Sequence, residues 1–279
     1  MDISADNHAY LNACAAMQDD DIDLGALALA MVVPDHLGVS VDRYSRHFER
    51  NAEYVRARHD LLTDKGEDNV AVRLAALKHV IVKVRDYRID LPTHEVLESA
   101  DMMRVIDRGF GCGAALSILY MDAARKNGWR VDGLNFPNHF LMRIDYHGQR
   151  MIFDPAQKCD RLEAHDLRRI IKDELGEGAE LSSTYYDGVG PREAVVHLCN
   201  YIKFRQIEMG DYAAALSMVE RMRIIAPNEY RLLLDAGVLY MRINQKDQAI
   251  QALQSYVECA PDFYDRKEAL MLLSELHDQ

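Results

Sequence analysis

The feature that most constrains the fold is a sequence repeat with an offset of 34 residues near the C-terminal end of the chain. Ala226-Pro227 recurs as Ala260-Pro261, and Ala215 has its counterpart at Ala249. A fixed period of this size is typical of helical hairpins that stack on one another, each burying its apolar face on its neighbour. The sequence therefore predicts that the last third of the chain is an array of α-helices.

The second copy of the repeat shows which kind of hairpin this is. Gly237 and Tyr240 lie three residues apart ahead of the alanine and the closing proline, a pattern similar to the tetratricopeptide repeat. The first copy is atypical, because Lys203 and Gln206 occupy the corresponding positions. We predict two repeats and a capping helix over residues 266–276. A generic helical bundle is the alternative.

The rest of the chain is predicted to be α+β. Residues 1–106 carry mostly helical spacing and are interpreted as a helical N-terminal region. Residues 107–175 are predicted to form a core in which one helix packs on a small antiparallel sheet built from strands near 129–134, 140–146 and 150–153. Residues 176–191 are interpreted as a Gly- and Ser-rich connection. Residues 192–279 form the repeat domain.

Cys112 is the first candidate catalytic residue. It lies in the segment Phe-Gly-Cys-Gly-Ala-Ala of residues 110–115, just before a predicted helix. The backbone N–H groups and dipole at a helix start stabilise a thiolate, and we expect the Cys112 amide to help hold a developing oxyanion. The alternative is a small apolar residue filling a tight junction.

His139 and Asp154 are the candidate base and its orienting carboxylate. Pro137 predicts a bend that brings His139 to the start of a strand, and Pro155 ends the strand that carries Asp154. Both residues lie at the open end of the hairpin that turns at His147-Gly148, so they are expected to meet. A core histidine and a turn-capping aspartate are the alternative.

Composition limits the classes of partner. The formal charge of −12 disfavours nucleic acid and anionic membranes as partners. Five scattered cysteines without a Cys-x-x-Cys pair favour a reducing, cytoplasmic location. No basic and apolar leader precedes Cys14, so no signal peptide is expected. No metal-binding spacing, Walker loop or dinucleotide fingerprint is present, and no cofactor or metal is predicted.

Three segments together resemble a known family. They are Arg-Gly-Phe-Gly at 108–111, Asn-Phe-Pro-Asn-His-Phe-Leu at 135–141 and Phe-Asp-Pro at 153–155. They resemble the bacterial SirB-type proteins, which join a transglutaminase-like (papain-like) domain to C-terminal tetratricopeptide repeats. The resemblance implies that fold for this chain. In the wider superfamily, active members place a nucleophile at the position of Cys112.

Three functions follow from these patterns. The first is a thiol hydrolase or acyl-transferase that acts on a peptide or glutamine amide through Cys112, His139 and Asp154. The second is a non-catalytic adaptor that binds a protein or peptide through the repeats, because many SirB-type proteins carry an Asn-Pro pair at the position of Cys112. The third is a thiol sensor in which Cys112 reports oxidation. We expect residues 192–279 to dock on the core through Val195, Val196, Leu198 and Tyr201.

Overall fold

The N-terminal part of the protein is helical. The computed structural model describes residue 3 and residues 6–64, 66–89, 97–137 and 139–278. A π-helical turn, His79–Val84, extends the fourth helix and leads to the short strand β1 (Arg88–Ile89). The helices of this region are α1 (Asn7–Ala16), α2 (Leu24–Val32), α3 (Asp42–Thr63), α4 (Val70–Lys78) and α5 (Met102–Arg108).

Helix α2 forms the centre of the main core. Asp23 caps it, because its carboxylate accepts a hydrogen bond from the Ala26 amide at 2.9 Å. Nearly every residue of α2 is apolar and buried, as expected for a helix that is surrounded by other elements. It packs against α1, α3 and α5 and against the later helices Gly113–Arg125, Pro191–Glu208 and Tyr212–Ile225, so it joins the N-terminal region to both of the later parts of the chain.

The predicted α+β core is confirmed. Strand β2 (Phe110–Gly111) pairs in parallel with β1 and leads into helix α6 (Gly113–Arg125). The described residues form an antiparallel sheet in the order β6-β5-β4-β3-β7. Its strands are β3 (Arg130–Leu134), β4 (Met142–Tyr146), β5 (Gln149–Asp154), β6 (Asp160–Leu162) and β7 (Gly188–Val189).

The two faces of the sheet belong to different apolar cores. Met142 and Phe153 pack in the core shared with α6, whereas Leu141 and Ile152 pack under helix α7 (Ala164–Leu175). This alternation follows from the two-residue period of a strand. The hairpin between β4 and β5 turns at His147-Gly148, and both residues have positive φ angles, as a tight two-residue turn requires.

The segment interpreted as a connection contributes to the sheet. Strand β7 pairs with β3 at the sheet edge, and the Tyr186 carbonyl accepts a hydrogen bond from Arg143 at 2.8 Å. The sequence gives no strand signal here, because two paired residues in a Gly-rich stretch are too short to show a periodicity.

The C-terminal repeats are confirmed as helical hairpins followed by a capping helix. Val195 and Leu198 are fully buried in the core shared with α6, and Val196 is half-buried, so the repeats dock on the core as predicted. Tyr201, the fourth predicted docking residue, lies at the edge of this buried face and is 43% exposed. The helices are α8 (Pro191–Glu208), α9 (Tyr212–Ile225), α10 (Arg231–Arg242), α11 (Lys246–Cys259) and α12 (Phe263–Asp278).

Candidate active site

Cys112 occupies the N-cap position of α6, with extended backbone angles and a half-buried side chain. Its carbonyl accepts the first hydrogen bond of the helix, from the Leu116 amide at 3.0 Å. Its own amide donates to the Ser99 carbonyl at 2.7 Å. The expectation that the Cys112 amide serves an oxyanion is therefore wrong for this structure, because that donor already has a strong acceptor.

His139 lies in a tight turn ahead of β4 instead of opening the strand. It forms a β-bridge with Phe136 across Pro137, and β4 begins three residues later at Met142. The turn delays the strand because proline cannot donate a ladder hydrogen bond. Asn138 of the predicted bend lies outside the described residues. The His139 Nε2 atom is 3.6 Å from Glu174 Oε1 on α7, a contact that the sequence did not suggest.

Asp154 ends β5 and is only 6% exposed. One carboxylate oxygen accepts a hydrogen bond from the Ala156 amide at 2.8 Å. Burial raises the pKa of Asp154, and this effect is opposed first by the Ala156 amide and then by the positive charge of the His139 ring. Because Met142 pairs with Phe153, Asp154 lies beside the segment that carries His139.

Helix α8 connects the surroundings of Cys112 to those of His139. The Phe140 ring lies 5.7 Å from the His197 ring, edge to face. Tyr201 follows His197 by one helical turn and interacts electrostatically with Cys112. A Cβ atom on Gly133 would lie 2.8 Å from the Phe140 ring, so the glycine makes room for this contact.

The contacts among the described residues thus fall into two sets. His139 lies 3.6 Å from Glu174 and influences the pKa of Asp154, whereas Cys112 donates to the Ser99 carbonyl and influences the pKa of Tyr201. A direct meeting of the Cys112 thiol with the His139 imidazole stays a prediction. The sequence did not point to Tyr201 as a site residue, because its position next to Cys112 depends on how α8 docks on α6.

The other thiols differ from Cys112 in access. Cys14, Cys159 and Cys199 are buried, and Cys259 is exposed. Desolvation raises the pKa of Cys159 and of Cys199 to about 12, so both stay protonated at neutral pH. Cys259 therefore provides an exposed internal standard for the reactivity of Cys112.

A separate cleft lies away from these residues. It has a volume of about 600 Å³ and lies between residues 20–24 and the end of α6. Lys126 lies in it and bridges Asp122 at 2.8 Å and Asp23 at 3.0 Å. Because its cation is already paired with these carboxylates, we interpret the cleft as a structural ion-pair network, separate from the candidate active site.

The comparisons with known proteins agree with this architecture. The sequence profile of the transglutaminase-like superfamily matches residues 42–200, more than half of the chain, and a tetratricopeptide-repeat profile matches residues 202–274. The chain therefore belongs to the transglutaminase-like superfamily. No solved structure matches the chain significantly.

Bacterial relatives extend over most or part of the chain. A UPF0162 protein of Xylella fastidiosa strain Temecula1 is 20% identical over 257 residues, 91% of this chain and 90% of the relative. A UPF0162 protein of Vibrio cholerae is 21% identical over 57% of this chain and 59% of the relative. One of Pseudomonas aeruginosa is 28% identical over 46% of this chain and 47% of the relative.

The described parts of the chain contain neither a membrane-spanning helix nor a cluster of metal ligands. No helix there is long and apolar enough to cross a membrane. No group of three or more His, Cys, Asp or Glu side chains there has a geometry that would hold a metal ion.

Proposed function

We propose that this protein is a thiol-dependent hydrolase or acyl-transferase acting on a peptide or glutamine amide. The proposal rests mainly on the nearness of His139 to Asp154 at the open end of the β4–β5 hairpin, in a domain whose Cys112 is the N-cap residue of α6 and is partly accessible. A histidine with an orienting carboxylate is the partner that a thiol nucleophile needs. We further propose that the chain is a SirB-type protein and acts in the cytoplasm.

In this mechanism His139 takes the proton of the Cys112 thiol, and the thiolate attacks the carbonyl carbon of the substrate. A C–S bond forms, the C–N bond of the amide breaks, and His139 returns the proton to the departing amine. Water or a second amine then attacks the thioester and regenerates the thiol. In this mechanism Asp154 orients the His139 ring, and catalytic hydrogen bonds often form fully only when substrate binds.

A second candidate function is that of an adaptor that binds a protein or peptide, and the last helix favours it. Phe263 and Leu270 are exposed on α12 seven residues apart, as are Tyr264 and Met271. Residues seven apart lie on nearly the same side of a helix, so the four form one apolar stripe. Tetratricopeptide repeats generally bind proteins, and the adaptor function would need no active thiol.

Replacing His139 with alanine tests the proposed function. With p-nitrophenyl acetate as the acyl donor, we expect acetylation of Cys112 to slow about 100-fold, because general-base catalysis contributes about this much or more. Peptide mapping by mass spectrometry identifies the acetylated cysteine and gives its rate.

His165→Ala is the matched control, since His165 is a 76% exposed histidine at the start of α7. It should acetylate at the rate of the unmodified protein. If Cys112 in the unmodified protein is acetylated no faster than Cys259, the adaptor function stands and the enzymatic one is excluded.

A further inference from the structure

The donor that would stabilise a negatively charged intermediate at Cys112 has to come from somewhere other than the Cys112 amide. That amide donates to the Ser99 carbonyl at 2.7 Å. Thiol acyl transfer passes through a tetrahedral intermediate whose oxygen carries a full negative charge, and hydrogen-bond donors fixed near this oxygen supply much of the rate.

Tyr201 is placed to provide such a donor. It is on α8, which packs against α6. Arg125 at the end of α6 and Arg192 at the start of α8 both donate to Asp19. Helix α8 therefore runs back along α6 toward Cys112 and brings Tyr201 to that end of α6. The influence of Cys112 on the pKa of Tyr201 agrees with this placement.

The Tyr201 side chain is 43% exposed, so its surface is open to a ligand approaching Cys112. One turn earlier on the same helix, His197 contacts Phe140, the residue after His139. The α8 surface around Tyr201 therefore extends from Cys112 toward the His139 turn.

We propose that Tyr201 is a catalytic residue whose hydroxyl donates a hydrogen bond to the oxyanion formed when Cys112 attacks an acyl group. This inference rests on the proposed function. The Cys112 thiolate forms the C–S bond, the carbonyl π electrons move onto oxygen, and the Tyr201 O–H holds that oxygen. Collapse of the intermediate then expels the leaving group. Desolvation, and after it the nearby Cys112, raise the pKa of Tyr201, so its hydroxyl remains a donor at neutral pH.

This role would link the two parts of the chain. Residue 201 falls between the segments matched by the transglutaminase-like profile and by the repeat profile. The helix that begins the repeats would then complete the active site of the preceding domain.

Two reagents separate an oxyanion donor from a structural residue. Acetylation by p-nitrophenyl acetate passes through an oxyanion, whereas alkylation by iodoacetamide needs the thiolate but forms no oxyanion. We expect Tyr201→Phe to lower the acetylation rate of Cys112 about 100-fold, as removal of one oxyanion donor does. The rate of Cys112 alkylation should not change. Tyr54→Phe is the matched control, because Tyr54 is 45% exposed on α3, and it should change neither rate.

The other outcomes contradict either the role of Tyr201 or the proposed function. If Tyr201→Phe acetylates Cys112 at the unmodified rate, Tyr201 is not the donor, although the proposed function stands. If both reactions slow equally, Tyr201 acts on the thiolate or on the local structure, and the inference is wrong. If Cys112 of the unmodified protein is alkylated but not acetylated, the proposed function itself fails.

Discussion

Replacing Cys112 with serine should leave a folded protein that no longer transfers acyl groups. Loss of the nucleophile is expected to lower the rate of p-nitrophenyl acetate turnover at this site by about 10³-fold or more. The fold should not suffer, because serine is a better N-cap residue than cysteine, and its hydroxyl can accept a hydrogen bond from an amide in the first turn of α6. A rise in stability of about 0.5–1 kcal/mol is expected from this cap.

The measurement pairs turnover with a urea unfolding curve for the same sample. Cys259→Ser removes the exposed thiol at the end of α11 and serves as the control, with turnover and stability both unchanged. Turnover in Cys112→Ser equal to that of the unmodified protein would show that acyl transfer occurs without this thiol.

Among the variants proposed here, Arg192→Ala should cause the largest loss in the free energy of unfolding. The guanidinium is largely buried and donates to the Asp19 carboxylate at 3.0 Å, to the Cys14 carbonyl at 3.2 Å and to the Met17 carbonyl at 2.8 Å. It also donates to the Ile225 carbonyl at the end of α9. One side chain at the start of α8 thus holds the end of α1, the turn after it and the first repeat together.

Removing this side chain leaves several acceptors without their charged donor, and each hydrogen bond to a charged group is worth about 1.5–3 kcal/mol. Because these bonds share one group and Asp19 is partly solvated, we expect a total loss of about 3 kcal/mol in the free energy of unfolding. Arg168→Ala, at an exposed position of α7, should change stability by less than about 0.5 kcal/mol. Equal losses in the two variants would show that Arg192 does not connect the repeats to the core.

Local patterns in the sequence predicted much of the fold. The 34-residue offset identified the hairpins, and Pro155 marked the end of β5, because both signals lie in or next to the elements that they describe. The strand alternation and the turn at His147-Gly148 predicted a hairpin that brings Asp154 near His139. These elements could be predicted because their signals lie in their own segments of the sequence.

The features that the sequence did not predict depend on tertiary packing. The Cys112 amide donates to the carbonyl of Ser99, which lies 13 positions earlier in the chain. His139 contacts Glu174, which lies 35 positions later. Tyr201 is predicted to dock because it follows Val195 and Leu198 in sequence, yet it lies at the edge of the buried face of α8 and is 43% exposed. The periodicity of a sequence does not predict such contacts between distant segments.

The rate of Cys112 alkylation by iodoacetamide as a function of pH tests directly whether Cys112 is an activated thiol. Only the thiolate reacts, and a thiolate stabilised by a helix N-terminus and a histidine persists at lower pH than an ordinary thiol, whose pKa is near 8.5. Mass spectrometry of the intact protein and its peptides follows Cys112 and Cys259 in the same sample. We expect Cys112 to react much faster than Cys259 below about pH 7. Equal rates of Cys112 and Cys259 at every pH would contradict it.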